Sequence, residues 1–312
     1  MAEVFNIVLP VFGLLAIGYV AAWTGLINDV AADGFSIYVQ RVAIPFLVFR
    51  AIGLTPAPDI APAALLLCYF GTIVIVWTIG SLVAKHILKT DGQVSAITGV
   101  GGAYSNTVML GLPLVVTSFG DEGALIFFIL FPFHLPLMTL LSAIQIEWSR
   151  GENVNFVQTI MNTFRGMAGN PIIVAIIVGA LFRASGLTLP ESVDTVSKTV
   201  ADTAIACALV SMGLILRRYG ISRGFKPALL MSGLKLLLFP ALVWFFASHV
   251  AGLDPVTVGV LTIFGASPVG VNTFIFATRY GVGQAEASSA IAISTGMSIF
   301  TISAVLIFLG VG

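Results

Sequence analysis

Apolar residues run through the chain in blocks of about 18 to 25, separated by short polar breaks, and that length matches the hydrocarbon core of a bilayer. Ten blocks predict ten membrane-spanning helices, at residues 4–22, 34–52, 62–84, 95–118, 122–146, 170–185, 195–216, 226–249, 255–279 and 284–310. The predicted class is therefore an all-α polytopic membrane protein. The first block follows Glu3 and has no basic leader, so it reads as a retained span rather than a cleaved signal.

Two blocks depart from the pattern. Gly101 to Gly120 reads GGAYSNTVMLGLPLVVTSFG, and Gly265 to Gly281 reads GASPVGVNTFIFATRYG. Each carries Asn, Gly, Pro and hydroxyl residues at mid-span, which an uninterrupted membrane helix has no use for. In hydrocarbon every backbone N–H and C=O needs a partner, so irregular backbone survives only inside protein or beside a water-filled cavity. Spans four and nine are thus expected to be broken, and one such break in each half of a chain points to a binding site near the bilayer midplane.

The one long polar connection divides the chain into residues 1–148, a connector at 149–169, and residues 170–312. Within the connector Phe156, Val157, Ile160, Met161 and Phe164 recur at helical spacing, which predicts an amphipathic helix lying on the membrane surface. Each half holds five spans, so a second copy of the first half would insert upside down. Matching fragments agree with such an inverted repeat: Thr24-Gly25-Leu26 with Ser185-Gly186-Leu187, and Phe119-Gly120 with Tyr280-Gly281.

Basic residues set the orientation. Lys85, Lys89, Arg150, Arg165, Arg217, Arg218, Arg223, Lys226 and Arg279 fall on one side of the predicted spans, against Arg50, Arg183 and Lys198 on the other. The positive-inside rule places the first group in the cytoplasm and both termini outside.

Composition narrows the function. Hydrophobic residues make up 58% of the 312 and charged ones only 9%, with mean hydropathy +1.06, which excludes an ordinary soluble domain. Basic residues in short loops, on no single face, exclude nucleic-acid binding. Cys68 and Cys207 lie inside apolar runs and form neither a disulfide framework nor a metal motif. Three scattered histidines and no acidic cluster leave an intramembrane enzyme without machinery.

The chemistry concentrates at the breaks. A helix that starts again at mid-membrane offers unpaired N–H groups and about half a positive charge, a ready site for a carboxylate. Asn106 and Asn272 both donate and accept hydrogen bonds, and Ser105, Thr107, Ser267 and Thr273 flank them. These six are the candidate binding residues; the alternative is that they only repair the freed backbone. Gly111, Pro113, Pro268 and Gly270 shape the breaks.

Ionisable residues within spans add four candidates for a charge or proton role, since each costs about 2.5–3.5 kcal/mol at mid-bilayer. Lys235, near the centre of span eight, either balances a bound anion or bonds the unwound carbonyls of span nine. Asp202 either pairs locally or sits near the outer interface, and Arg41 either snorkels, pairs or meets substrate. His134, between Pro132 and Pro136, is a candidate proton carrier, with a packing role as the alternative.

Several motifs agree in order along nearly the whole chain. They are Pro10, Phe12, Gly18 and Tyr19 with Gly25-Leu26; Tyr38 with Pro45-Phe46; Asn106 with Gly111 and Pro113; Asn170-Pro171 with Gly179, Gly186 and Pro190; Lys235 with Pro240; and Pro268 with Asn272 and Tyr280-Gly281. In these the chain resembles the auxin efflux carrier family of bacterial and plant transporters. The resemblance implies ten helices as two inverted five-helix repeats, with helices four and nine crossing at mid-membrane, an architecture shared with sodium/proton antiporters and bile-acid symporters. It implies a scaffold of helices 1, 2, 6 and 7, which commonly forms a homodimer interface, and a mobile domain of the rest, moving in elevator fashion. It also implies small organic anions as substrates, auxin-like or malate-like, and residence in a bacterial inner membrane. The connector is far shorter than the central loop of plant members, and the charges that some plant carriers hold in span three are missing between Pro62 and Ala84.

Three readings remain for the sequence. An anion carrier is the first, with no cofactor or metal and with sodium or the proton as coupling ion. A sodium- or proton-coupled symporter or antiporter of the same fold is the second, although span interiors four, five and nine hold no acidic residue for a cation. A receptor that binds without transport is the third.

Overall fold

The computed structural model describes residues 2–56, 61–149, 161, 165, 169–221 and 224–311. Among them all regular structure is helical: α1 (Ala2–Trp23), α2 (Asp29–Leu54), α3 (Pro62–His86), α4 (Gly92–Ala103), α5 (Thr107–Ser149), α6 (Pro171–Ser185), α7 (Glu191–Leu216), α8 (Phe225–Val250), α9 (Pro255–Ala266), α10 (Asn272–Tyr280) and α11 (Gln284–Phe308). Seven of these are long and apolar enough to cross a membrane: α2, α3, α5, α7, α8, α11, and α1 from Val4 onward; α6 and α9 are shorter apolar helices. Most of the predicted surface helix in the connector lies outside the described residues.

Helix ends follow local chemistry. Asn28, Asp91, Asn170 and Asp254 each accept from a backbone amide in the first turn of α2, α4, α6 and α9, and proline opens α6 and α9. Gly120 takes φ 59°, ψ −147° and breaks α5 in two, close to the gap predicted between spans four and five. Three stretches widen to π-helical turns, Val39–Ala43, Thr107–Gly111 and Leu234–Leu238, and each ends two residues before a proline: Pro45, Pro113 and Pro240. A proline ring clashes with the carbonyl four residues back, and a widened turn makes room for it. A fourth such turn closes α8 at Phe246–Val250, with no proline two residues on.

Two groups of helices emerge from the packing. In the first, α1 lies on α7 and α2 on both α6 and α7. A methyl group at Gly18 would stand 2.1 Å from the Val210 carbonyl oxygen, so glycine is what lets α1 and α7 approach. Polar ties fix α2 to α7: Ser36 Oγ with Ser211 Oγ at 2.7 Å, Tyr38 Oη with Thr203 Oγ1 at 2.8 Å, and Arg50 with Asp194 at 2.6 Å. Arg183 of α6 donates to the Thr55 carbonyl at the end of α2. In the second group α3 packs on α4, α8 on α4, α9 and α11, and α5 on α9 and α4. Gln145 of α5 joins Trp77 and Ser81 of α3, and Phe127 meets Phe264 edge-on at 4.9 Å. The apolar core runs through both groups.

Candidate functional site

After Ala103 the chain leaves the helix at Tyr104 (φ −91°, ψ 111°) and re-enters it at Thr107. After Ala266 it does the same at Ser267 (φ −59°, ψ 143°), re-entering at Asn272. The two extended pieces lie antiparallel, with Ser105 opposite Val269. Asn106 N donates to the Pro268 carbonyl at 2.8 Å, and Gly270 N donates to the Tyr104 carbonyl at 2.8 Å. Each break thereby supplies the partners that the other's backbone has lost, which is what lets irregular backbone lie buried. A side chain at Gly270 would meet the Ser105 carbonyl oxygen and the Tyr104 ring, both at 2.8 Å.

Side chains and one further backbone bond complete the repair. Val269 N donates to Ser294 Oγ at 3.0 Å, and Gly111 N donates to the Asn106 carbonyl at 3.0 Å. Asn106 Nδ2 donates to Met212 Sδ at 3.1 Å, and Asn272 Nδ2 donates to Tyr104 Oη at 2.6 Å. Ser105 Oγ lies 3.3 Å from Tyr69 Oη.

A cavity of about 330 Å³ opens against one side of this pair. Ser105, Asn106, Thr107, Gly270 and Asn272 line it, and so do Arg41 and His134. The backbone amides of Val108, Met109, Val271 and Asn272 donate to no backbone carbonyl among the described residues, and all four residues line the cavity. The N-terminus of α6 reaches it as well, through Asn170, Pro171 and Ile172. Three helix starts and Arg41 thus border a space whose described lining includes no carboxylate, an arrangement that favours an anion. Arg50, Arg183 and Arg218 are each held by a protein oxygen, whereas Arg41 makes no ion pair or hydrogen bond to the described residues.

His134 is 1% exposed, and neither ring nitrogen meets a hydrogen-bonding group among the described residues. Its ring stacks on Tyr104 at 4.9 Å and 8°, with Phe264 edge-on at 5.3 Å and Tyr69 tilted at 5.7 Å.

Other predicted residues fall elsewhere. Ser267 Oγ donates to the Ile263 carbonyl at the end of α9, and Thr273 is buried with its hydroxyl unpartnered among the described residues; neither is in the described cavity lining. Pro113 and Gly111 lie in or just after the π-helical turn, and Pro268 contributes its carbonyl to the paired breaks. Asp202 pairs with Lys198 at 2.7 Å, beside a second cavity shared with Arg50 and Asp121. Lys235 is fully buried, donates to the Gly265 carbonyl near the C-terminus of α9, and lies 4.3 Å over the Phe239 ring. Lys235→Met strips that carbonyl of its partner and is expected to cost about 1–3 kcal/mol. Thermal unfolding in detergent reads the loss; an equally stable variant would refute it.

Sequence reasoning singled out neither Tyr104 nor Gln40, and treated Asn170 only as part of a motif. Tyr104 sits inside the quoted GGAYSN stretch, and a tyrosine next to a predicted break was the available signal.

Membrane-spanning helices set round a polar cavity, with two of them interrupted at its wall, define a membrane transport protein. The chain belongs to the family described in those words, membrane transport protein, the family of the auxin efflux carriers; the match spans residues 3–306. It is 24% identical over 306 residues to a provisionally named malonate transporter of Rhizobium meliloti, with 98% of this chain and 96% of the relative covered. An uncharacterized transporter of Methanothermobacter thermautotrophicus is 26% identical over 300 residues, 95% of each chain. Auxin efflux carrier component 8 of Arabidopsis thaliana is 23% identical over 332 residues, 90% of each. The protein is a multi-pass membrane transporter rather than an enzyme, and it handles a small molecule.

Proposed function

We propose that this transporter is a secondary-active carrier of small organic anions that binds its cargo where spans four and nine cross. One observation carries the reading: two interrupted helices, hydrogen-bonded to each other, border a cavity with the residues at their restarts, whose amides have no backbone partner among the described residues, and with Arg41 as its charged lining residue. Carboxylates are the class such a field selects. The names of two relatives, a malonate transporter and an auxin efflux carrier, point to the same class. A cation antiporter would want acidic ligands at the crossing, and the described lining offers none.

In this reading the break at Gly120 separates spans four and five, the stretch from α9 through α10 forms span nine, and the total is ten. Inverted repeats, residues 1–148 and 170–312 about the connector 149–169, are supported by helix pairing. A two-fold relation that maps span one on six and span two on seven also maps the α1–α7 contact on the α6–α2 contact, and both are present. The group α1, α2, α6 and α7 serves as scaffold and homodimer interface, and the rest moves as an elevator carrying the crossing. Both termini lie outside a bacterial inner membrane, by the distribution of Lys and Arg.

Asn272→Ala tests the site. It removes the bond to Tyr104 and a cavity donor, and kcat/KM for carboxylate flux in proteoliposomes is expected to fall about tenfold to a hundredfold. Unchanged flux in a well-folded variant would put the binding site elsewhere.

A further inference from the structure

We propose that the anion travels with a proton carried on His134, so that the protein is an anion–proton symporter. The inference rests on the anion reading of the cavity and adds the coupling ion to it.

A buried imidazole ordinarily gives its N–H to a carbonyl or carboxylate, because an unmet polar group in a dry site costs free energy. His134 has no such partner at either nitrogen among the described residues. Tyr104 covers one face of the ring, and Phe264 and Tyr69 crowd its sides, so aromatic carbon surrounds it except where it borders the cavity. Both nitrogens are closed to solvent in this conformation, so an anion in the bordering cavity meets them only once the ring turns toward it.

Charge decides what that anion does. Lys235 stands on α8 behind Tyr69 and Phe239, and Arg41 lines the same cavity from α2; the described lining holds no carboxylate. Without a bound anion, an imidazolium here would meet only like charges among the described groups around the cavity. A carboxylate within hydrogen-bond reach reverses the balance: one ring nitrogen takes a proton from water, and the resulting N–H donates to the carboxylate oxygen. When the anion leaves, the imidazolium loses its partner and returns the proton to water on that side. One proton is taken up and one released per cycle, and no other reactant is needed. Tyr104, stacked on His134 and bonded through its hydroxyl to Asn272, holds the ring in register with the paired breaks.

The test is titration calorimetry of the purified full chain with malonate at about pH 7.5, repeated in buffers of different ionisation enthalpy, which counts protons taken up on binding, with about one per anion expected. Because anion and proton bind together, Kd should rise with pH by up to about tenfold per unit. His134→Gln should bind malonate with no proton uptake and a flat pH profile; His134→Phe, which keeps the stack on Tyr104, replaces it if the glutamine variant does not fold. Wild-type binding without proton uptake overturns the symport proposal and leaves the anion site standing. Full proton uptake in the His134 variants overturns the assignment to that residue. No binding of malonate, malate or indole-3-acetate overturns the anion reading and this inference with it.

Discussion

Arg41→Gln is expected to lower kcat/KM for carboxylate transport by about tenfold to a hundredfold, while the protein still inserts and unfolds at the same temperature. The guanidinium is the charged group in the described cavity lining and has no ion-pair or hydrogen-bond partner among the described residues, so its removal costs the fold nothing and costs a bound anion its strongest contact. Arg41 is exposed to solvent, and losing a charge-assisted hydrogen bond costs about 1.5–3 kcal/mol, which corresponds to about tenfold to a hundredfold. Arg41→Lys should recover only part of the loss, because an ammonium cannot grip a carboxylate through two parallel N–H bonds. Initial rates of carboxylate counterflow in proteoliposomes measure both variants. Wild-type rates in Arg41→Gln would remove the residue from the site and weaken the case for a carboxylate cargo.

The second large effect is on folding. Gly213→Leu should abolish a monodisperse, folded species in detergent, and Gly213→Ala should cost about 3 kcal/mol or more, at or beyond the upper end of ordinary overpacking. Even the alanine methyl would lie 2.0 Å from the Leu15 carbonyl oxygen and 2.7 Å from Tyr19 N. Both obstacles are backbone, so no rotamer change relieves them and α1 must move off α7. Gly18 faces the same contact from the other helix, with the Val210 carbonyl in the way. Gly13 sits on α1 with open space where a side chain would go, so Gly13→Leu is the control expected to fold normally. Size-exclusion profiles and thermal unfolding decide the matter, and a folded Gly213→Leu would show that the α1–α7 contact is dispensable.

Much of this was legible in the chain itself, for physical reasons that differ from residue to residue. The breaks could be located because hydrocarbon penalises unpaired backbone so heavily that Asn106, Pro113, Pro268 and Asn272 stand out in an apolar run. The division at Gly120 was readable because a glycine there precedes a polar pair, Asp121 and Glu122. Lys235 and His134 could be flagged as costly, but not where each points: an apolar helix shows no polar stripe from which to read its inward face. Hence each was left with alternatives: Lys235 as counter-charge to an anion or as donor to the carbonyls of span nine, His134 as proton carrier or packing residue; Lys235 reaches a carbonyl of α9 and His134 borders the cavity. Ser267 and Thr273 were candidates by adjacency to the breaks, and adjacency does not say which side of the extended backbone a side chain takes. Tyr104 could not be ranked, because its importance lies in contacts with His134 and Asn272, both far away in sequence.

The reciprocal bonds between the two breaks also bear on how the chain is made. Asn106 donates to the carbonyl of a residue that the ribosome adds about 160 positions later. At about 5–20 residues per second, the first interruption waits roughly 10 to 30 s inside the membrane with its amide and carbonyl unpaired. During that interval the first half is a held, incomplete insertion product, and the arrival of the second half closes both halves at once. Truncation after the connector would therefore leave a segment that the insertion and quality-control machinery recognises as unfinished, however apolar it is.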